Sequence, residues 1–132
     1  MSQYAVEEGD SYAEFVAEKL KCRVVYPQDN QLQLDMDTEA QFAEFERRFA
    51  DLFTWDRSEQ LSFPTIEITP SKSGLPHRHI TLTFPGVIFT SLERVLMQTL
   101  LGSDPVREKM NTLRVIKGIS KPCRLFEPKE QP

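Results

Sequence analysis

Leu32-Gln33-Leu34-Asp35-Met36-Asp37 alternates apolar and polar side chains, the period of a β-strand with one wet face. Leu32, Leu34 and Met36 point to one side, and Gln33, Asp35 and Asp37 to the other. Two carboxylates two residues apart on a strand stand side by side and repel. A divalent cation such as Mg²⁺ or Mn²⁺ is the usual partner for such oxygens. Solvent screening at an exposed strand end, or capping of the helix that follows, would offset the same repulsion.

Elements extend outward from this strand in both directions. Before it, Ser11-Tyr12-Ala13-Glu14 reads as a capping box opening a helix over residues 11–21, and Arg23–Tyr26 reads as a strand stopped by Pro27. After it, Thr38-Glu39-Ala40-Gln41 is a second capping box, for a helix to Leu52 whose Phe42, Phe45 and Phe49 form a buried stripe. Trp55 falls in a polar loop and is expected to cover the core edge. Thr65–Thr69 and Ile80–Phe84 read as a hairpin whose long tip carries Ser71, Lys72, Ser73 and Gly74. Thr90-Ser91-Leu92-Glu93 caps a helix ending at Gly102, and Asp104-Pro105 opens another over residues 105–113. Arg114–Ile116 and Arg124–Phe126 read as short strands, and residues 127–132 as a disordered tail. The expected fold class is α+β: one domain over residues 1–132, with an antiparallel or mixed sheet and helices on one face.

Composition narrows the function classes. The chain has 132 residues, enough for one domain with a real core. No apolar run is long enough to cross a membrane, and the N-terminus lacks the basic start and apolar stretch of a signal peptide, so a cytoplasmic protein is expected. Cys22 and Cys123 read as reduced thiols. The net charge of −4 conceals an asymmetry. Residues 1–69 carry 6 Lys/Arg against 15 Asp/Glu, and residues 70–132 carry 10 against 5. That split suits a phosphate-binding surface beside an acidic metal site, or two halves that pair within one fold.

On the strand over Ile80–Phe84, the alternation turns His79, Thr81 and Thr83 away from the core. Asp35, Asp37 and His79 are thus expected on one open sheet face, with donors from Ser71, Lys72, Ser73 and the Gly74 backbone at the hairpin tip. A divalent cation there would hold phosphate oxygens against the carboxylates.

Leu34-Asp35-Met36-Asp37 resembles the first motif of the archaeo-eukaryotic primase-polymerases, and Ser73-Gly74-Leu75-Pro76-His77-Arg78-His79 is similar to their second. The resemblance covers residues 23–84. It implies a modified RNA-recognition-motif-like sheet, carboxylates Asp35 and Asp37 holding catalytic Mg²⁺ or Mn²⁺, and His79 contacting the incoming nucleotide. The family's third motif, a strand bearing another acid, has no clean match. Asp104 is the nearest candidate, although it also reads as a helix N-cap, and Glu67 is the alternative. Arg78, Arg114 and Lys121 are candidate phosphate contacts beside Ser71, Lys72 and Ser73. The segment from Ser71 to Glu108 also looks like small proteins encoded in phages and prophages, which implies a reduced member of the superfamily. The expectation is a minimal primase-polymerase-like domain binding a nucleotide or nucleic-acid end, with nucleotidyl transfer as its reaction. The alternatives are a non-catalytic phage accessory or inhibitor protein acting on a host or replication protein, and a metal-dependent nuclease.

Overall fold

A computed structural model describes residues 10–54, 64–70 and 74–128. Trp55, Ser71, Lys72 and Ser73 lie outside the described residues. The element order is α1 (Asp10–Leu20), β1 (Cys22–Val25), β2 (Gln31–Met36), α2 (Glu39–Thr54), β3 (Thr65–Pro70), β4 (Arg78–Thr83), α3 (Ser91–Leu100), α4 (Pro105–Ile116) and β5 (Leu125–Pro128). The fold is α+β, with two antiparallel sheets ordered β2-β4-β3 and β1-β5.

β2, α2, β3 and β4 form a split β-α-β unit. β4 returns as a hairpin from β3 and inserts between β3 and β2. This is the arrangement of the first three strands of an RNA-recognition-motif sheet. The apolar face of β2 behaves as its alternation predicts. Leu32, Leu34 and Met36 are fully buried with Ile80, Leu82 and Phe84. α2 seals that face with Phe42, Phe45, Phe49 and Phe53, and Phe53 lies 5.7 Å from Phe84 between ring centroids.

β2 is an edge strand, and an unpaired edge invites pairing with another chain. Here side chains replace a neighbouring strand. The Arg94 guanidinium donates to Gln31 O, Gln98 Oε1 accepts from Gln33 N, and Arg107 Nη1 donates to Gln33 O. Ser103 Oγ then accepts from Asp35 N, and Asp104 N donates to Asp35 O. α3 and α4 are thereby fastened along β2. Gln98, fully buried, also donates to Glu108 Oε1, which accepts from Asn111 as well. The buried Glu108 carboxylate pairs with Arg107 at 2.6 Å. A buried polar network of this kind is tolerated because its members are hydrogen-bonded to one another.

Several expectations are corrected. Arg114–Ile116 is the last turn of α4, not a strand. Val115 and Ile116 favour strands locally, but the helix continues to a Gly118 stop. Gly118 N bonds to Val115 O, Ile119 N bonds to Arg114 O, and Gly118 has φ +79°. Glu127 and Pro128 belong to β5, paired with β1, so the ordered chain reaches into the expected tail. α3 and α4 border the edge of β2, and α4 residues line a cavity with Asp35 and His79. Cys22 and Cys123 are buried free thiols. Among the described residues no helix is long and apolar enough to cross a membrane.

Candidate metal centre

Asp35 ends the polar face of β2 directly opposite His79 on β4. One step beyond the paired register, Asp37 meets His77, with Oδ1 3.2 Å from Nδ1. The Asp-x-Asp of one strand therefore confronts a His-x-His of its neighbour. The hydrogen bond from Asp104 N to Asp35 O brings a third carboxylate to the pair. One oxygen from each of Asp35, Asp37 and Asp104 lies within 4.8 Å of the others. The N-cap reading of Asp104 holds, since its Oδ2 also accepts from Arg107 N and caps α4. Gly102, at φ +86°, reverses the chain between α3 and α4 and so sets Ser103 and Asp104 against β2.

The electrostatics are those of crowded acid. Burial first, then the neighbouring Asp37 charge, raise the Asp35 carboxyl from its ordinary 3.8 to about 6; Arg107 pulls in the opposite direction. The Asp35 side chain retains 23% exposure. Carboxylate oxygens gathered around a partly open position suit a hard divalent cation, whose charge would offset this repulsion.

The polar sheet face is not open at His79, which is 5% exposed. The β1-β5 sheet closes over it. Glu127 Oε2 lies 3.5 Å from His79 Nδ1, without hydrogen-bond geometry, and Glu127 also pairs with Arg23 at 3.3 Å. On the other side of the ring, Nε2 is 3.7 Å from Asp35 Oδ1. Burial, outweighing the Glu127 charge, holds the His79 imidazole below its usual range. Beside the two residues opens a cavity of about 270 Å³, lined also by Arg107, Asn111, Arg114, Arg124 and Phe126. This is slightly smaller than the ~300–1,000 Å³ of a typical ligand pocket, so it suits part of a ligand such as a phosphate.

The remaining expected contacts divide. Arg114 lines this cavity. Lys121 does not; it stacks over Tyr26 and borders a second cavity with Arg94 and Cys123. Arg78 faces α2, where Glu39 holds it at 2.7 Å and its guanidinium covers the Phe42 ring. Glu67 is exposed on β3 in register with Thr81, two strands from β2, and lies outside the Asp35, Asp37 and Asp104 group. Sequence reasoning missed His77, although its two-residue spacing from His79 mirrors that of the aspartates. Arg107 and Glu127 gave no local signal, because both meet the site only through contacts distant in sequence.

No protein-family model, curated protein or solved structure matches the chain.

Proposed function

We propose that this protein is a minimal primase-polymerase-like domain that binds Mg²⁺ or Mn²⁺ and, with it, the phosphates of a nucleotide or nucleic-acid end. The observation that carries the reading is the convergence of Asp35, Asp37 and Asp104 on one position. It supplies the third carboxylate that the two sequence motifs lack. The split β-α-β sheet is consistent with the same superfamily resemblance.

In this reading Asp35, Asp37 and Asp104 hold the cation. Bound there, it would polarise a phosphoryl oxygen and orient the substrate. The adjacent cavity, bordered by Arg107, Arg114 and Arg124, offers a positive field for phosphate oxygens. Arg107 acts mainly through its charge. Its Nη1 serves Gln33 O and Glu108, and its Nε and Nη2 serve Arg124 O. His79, held between Glu127 and Asp35, lines the cavity wall and can contact a phosphate entering it. The reaction class is nucleotidyl transfer.

The test is isothermal titration of Mn²⁺, then Mn²⁺ with a nucleoside triphosphate, into the wild type and into Asp35→Ala and Asp104→Ala. Binding by the wild type and its loss in both variants is expected. Absence of binding, or equal binding by all three, refutes the reading. Hydrolysis uses a similar donor set, so labelled single- and double-stranded substrates with added nucleotides separate extension from cleavage.

A further inference from the structure

The cavity bordered by Arg94, Lys121 and Cys123 encloses about 350 Å³ and has no part in the metal reading. Its size is that of a small-ligand site. Arg94 lines it and is only 7% exposed. Nε and Nη2 of Arg94 donate to the carbonyl oxygens of Gln31, Gln28 and Asp29. These acceptors are neutral, and Arg94 forms no ion pair among the described residues. Its Nη1 has no acceptor among them and is not sealed from solvent. A buried cation held only by neutral carbonyls is left without a counter-charge. Burial, opposed in part by Cys123 and Asp29, holds the guanidinium below its usual range.

Other donors share the same walls. Lys121 is exposed on the rim, with Nζ 4.8 Å over the Tyr26 ring. Ser91, also in the lining, is the first residue of α3. The Thr90 capping box serves the N–H groups of Thr90 and Glu93 and leaves that of Ser91 for an outside acceptor. The positive end of the helix dipole lies there as well. Burial pushes the Cys123 thiol up, so it adds no negative charge at neutral pH. Asp29, exposed in the same lining, is the carboxylate that faces these donors.

We propose that this cavity is a phosphate site, in which Arg94 Nη1, the Lys121 ammonium and the Ser91 N–H and hydroxyl hold the oxygens of inorganic phosphate or of a small phosphate monoester. Asp29 selects an oxyanion that keeps a proton or hydroxyl to donate, which phosphate and its hydroxylated esters have at neutral pH and sulfate lacks. The site stands apart from Asp35, Asp37 and Asp104 and needs no metal.

The experiment is amide NMR of the full chain at pH 7 in chelator, titrated to about 20 mM phosphate, the range of weak small-ligand affinity, with chloride at matched ionic strength as blank. The chelator keeps this outcome separate from that of the metal reading. Saturable shifts are expected at Ser91, Leu92, Ser120 and Lys121. Sulfate and the Lys121→Glu variant should each bind phosphate's site at least about tenfold more weakly, since each loses a charge-assisted contact. Lys121 is exposed, so this variant should melt close to the wild type. Ser91→Asp sets a carboxylate in the oxyanion's place at a helix position that favours acid, and should abolish binding without loss of the fold. Lys109→Glu, exposed on α4 and outside both cavities, should leave it unchanged. Glycerol phosphate in a parallel titration separates the two sources: tighter binding than inorganic phosphate marks a monoester site, weaker binding a site for the free ion. Absence of a saturable shift, shifts centred on Arg114 and Arg124 instead, sulfate binding as tightly as phosphate, or equal affinity in Lys121→Glu overturns the proposal.

Discussion

Replacing Asp35 by Asn should stabilise the metal-free protein at neutral pH, and the gain should vanish in acid. In the folded chain the Asp35 carboxyl titrates at about 6, against 3.8 ordinarily, because burial and the Asp37 charge disfavour its ionised form. The folded state therefore holds a proton that the unfolded state has released between these two values. Stability falls as pH rises through that window and stays reduced above it. A difference of about two units at 1.36 kcal/mol each sets a ceiling of about 3 kcal/mol. For a chain of this length that corresponds to roughly 10 °C in the melting midpoint. A neutral amide at this position carries no such penalty. Thermal melts of wild type and Asp35→Asn in chelator, from pH 4 to pH 8, should start together and diverge as pH rises, with the variant higher. Divalent cation should reverse the order. Mn²⁺ at a hundredfold excess over its dissociation constant adds about 2.7 kcal/mol to a protein that binds it and nothing to one that does not. A pH-independent difference between the two proteins in chelator would refute the assignment of Asp35 as a strained, buried acid.

Gln98→Leu should cost about 2–4 kcal/mol in chemical denaturation, since it strands the Gln33 N–H and removes a donor from buried Glu108; a loss below about 0.5 kcal/mol would contradict the edge-capping role. Phe84→Ala, at the fully buried junction of α2 and β4, should cost about 3–5 kcal/mol by the same measurement. Glu127→Gln should lower the His79 titration midpoint further, because the Glu127 charge is the leading influence holding it up; an unchanged ring-proton titration by NMR would show that β5 does not reach His79.

Much of this molecule was legible locally. The alternation at Leu32–Met36, the Phe stripe of α2 and the capping boxes at Thr38 and Thr90 all act within a few residues, and the structure carries each of them. The Asp35–Asp37 pair was legible for the same reason. The misreadings have three sources: a local stop, a distant strand partner and an alternation that was not carried to its end. Arg114–Ile116 stays helical because Gly118 provides the stop. Glu127 is ordered because β1 pairs with it. Arg78 is turned to Glu39 and Phe42 because strand alternation places it on the α2 side.

By itself the sequence determined most of the elements, the apolar face of β2 and the identity of two crowded carboxylates, since periodicity and capping are short-range. Only the tertiary structure decided that Asp104 joins them and Glu67 does not, that His79 is enclosed rather than open, and that α3 turns Arg94 and Gln98 inward. Each of these depends on which chain segment fills the unpaired edge and polar face of β2. Backbone groups there must find hydrogen-bond partners wherever the fold supplies them. In this chain the partners come from residues more than sixty positions away.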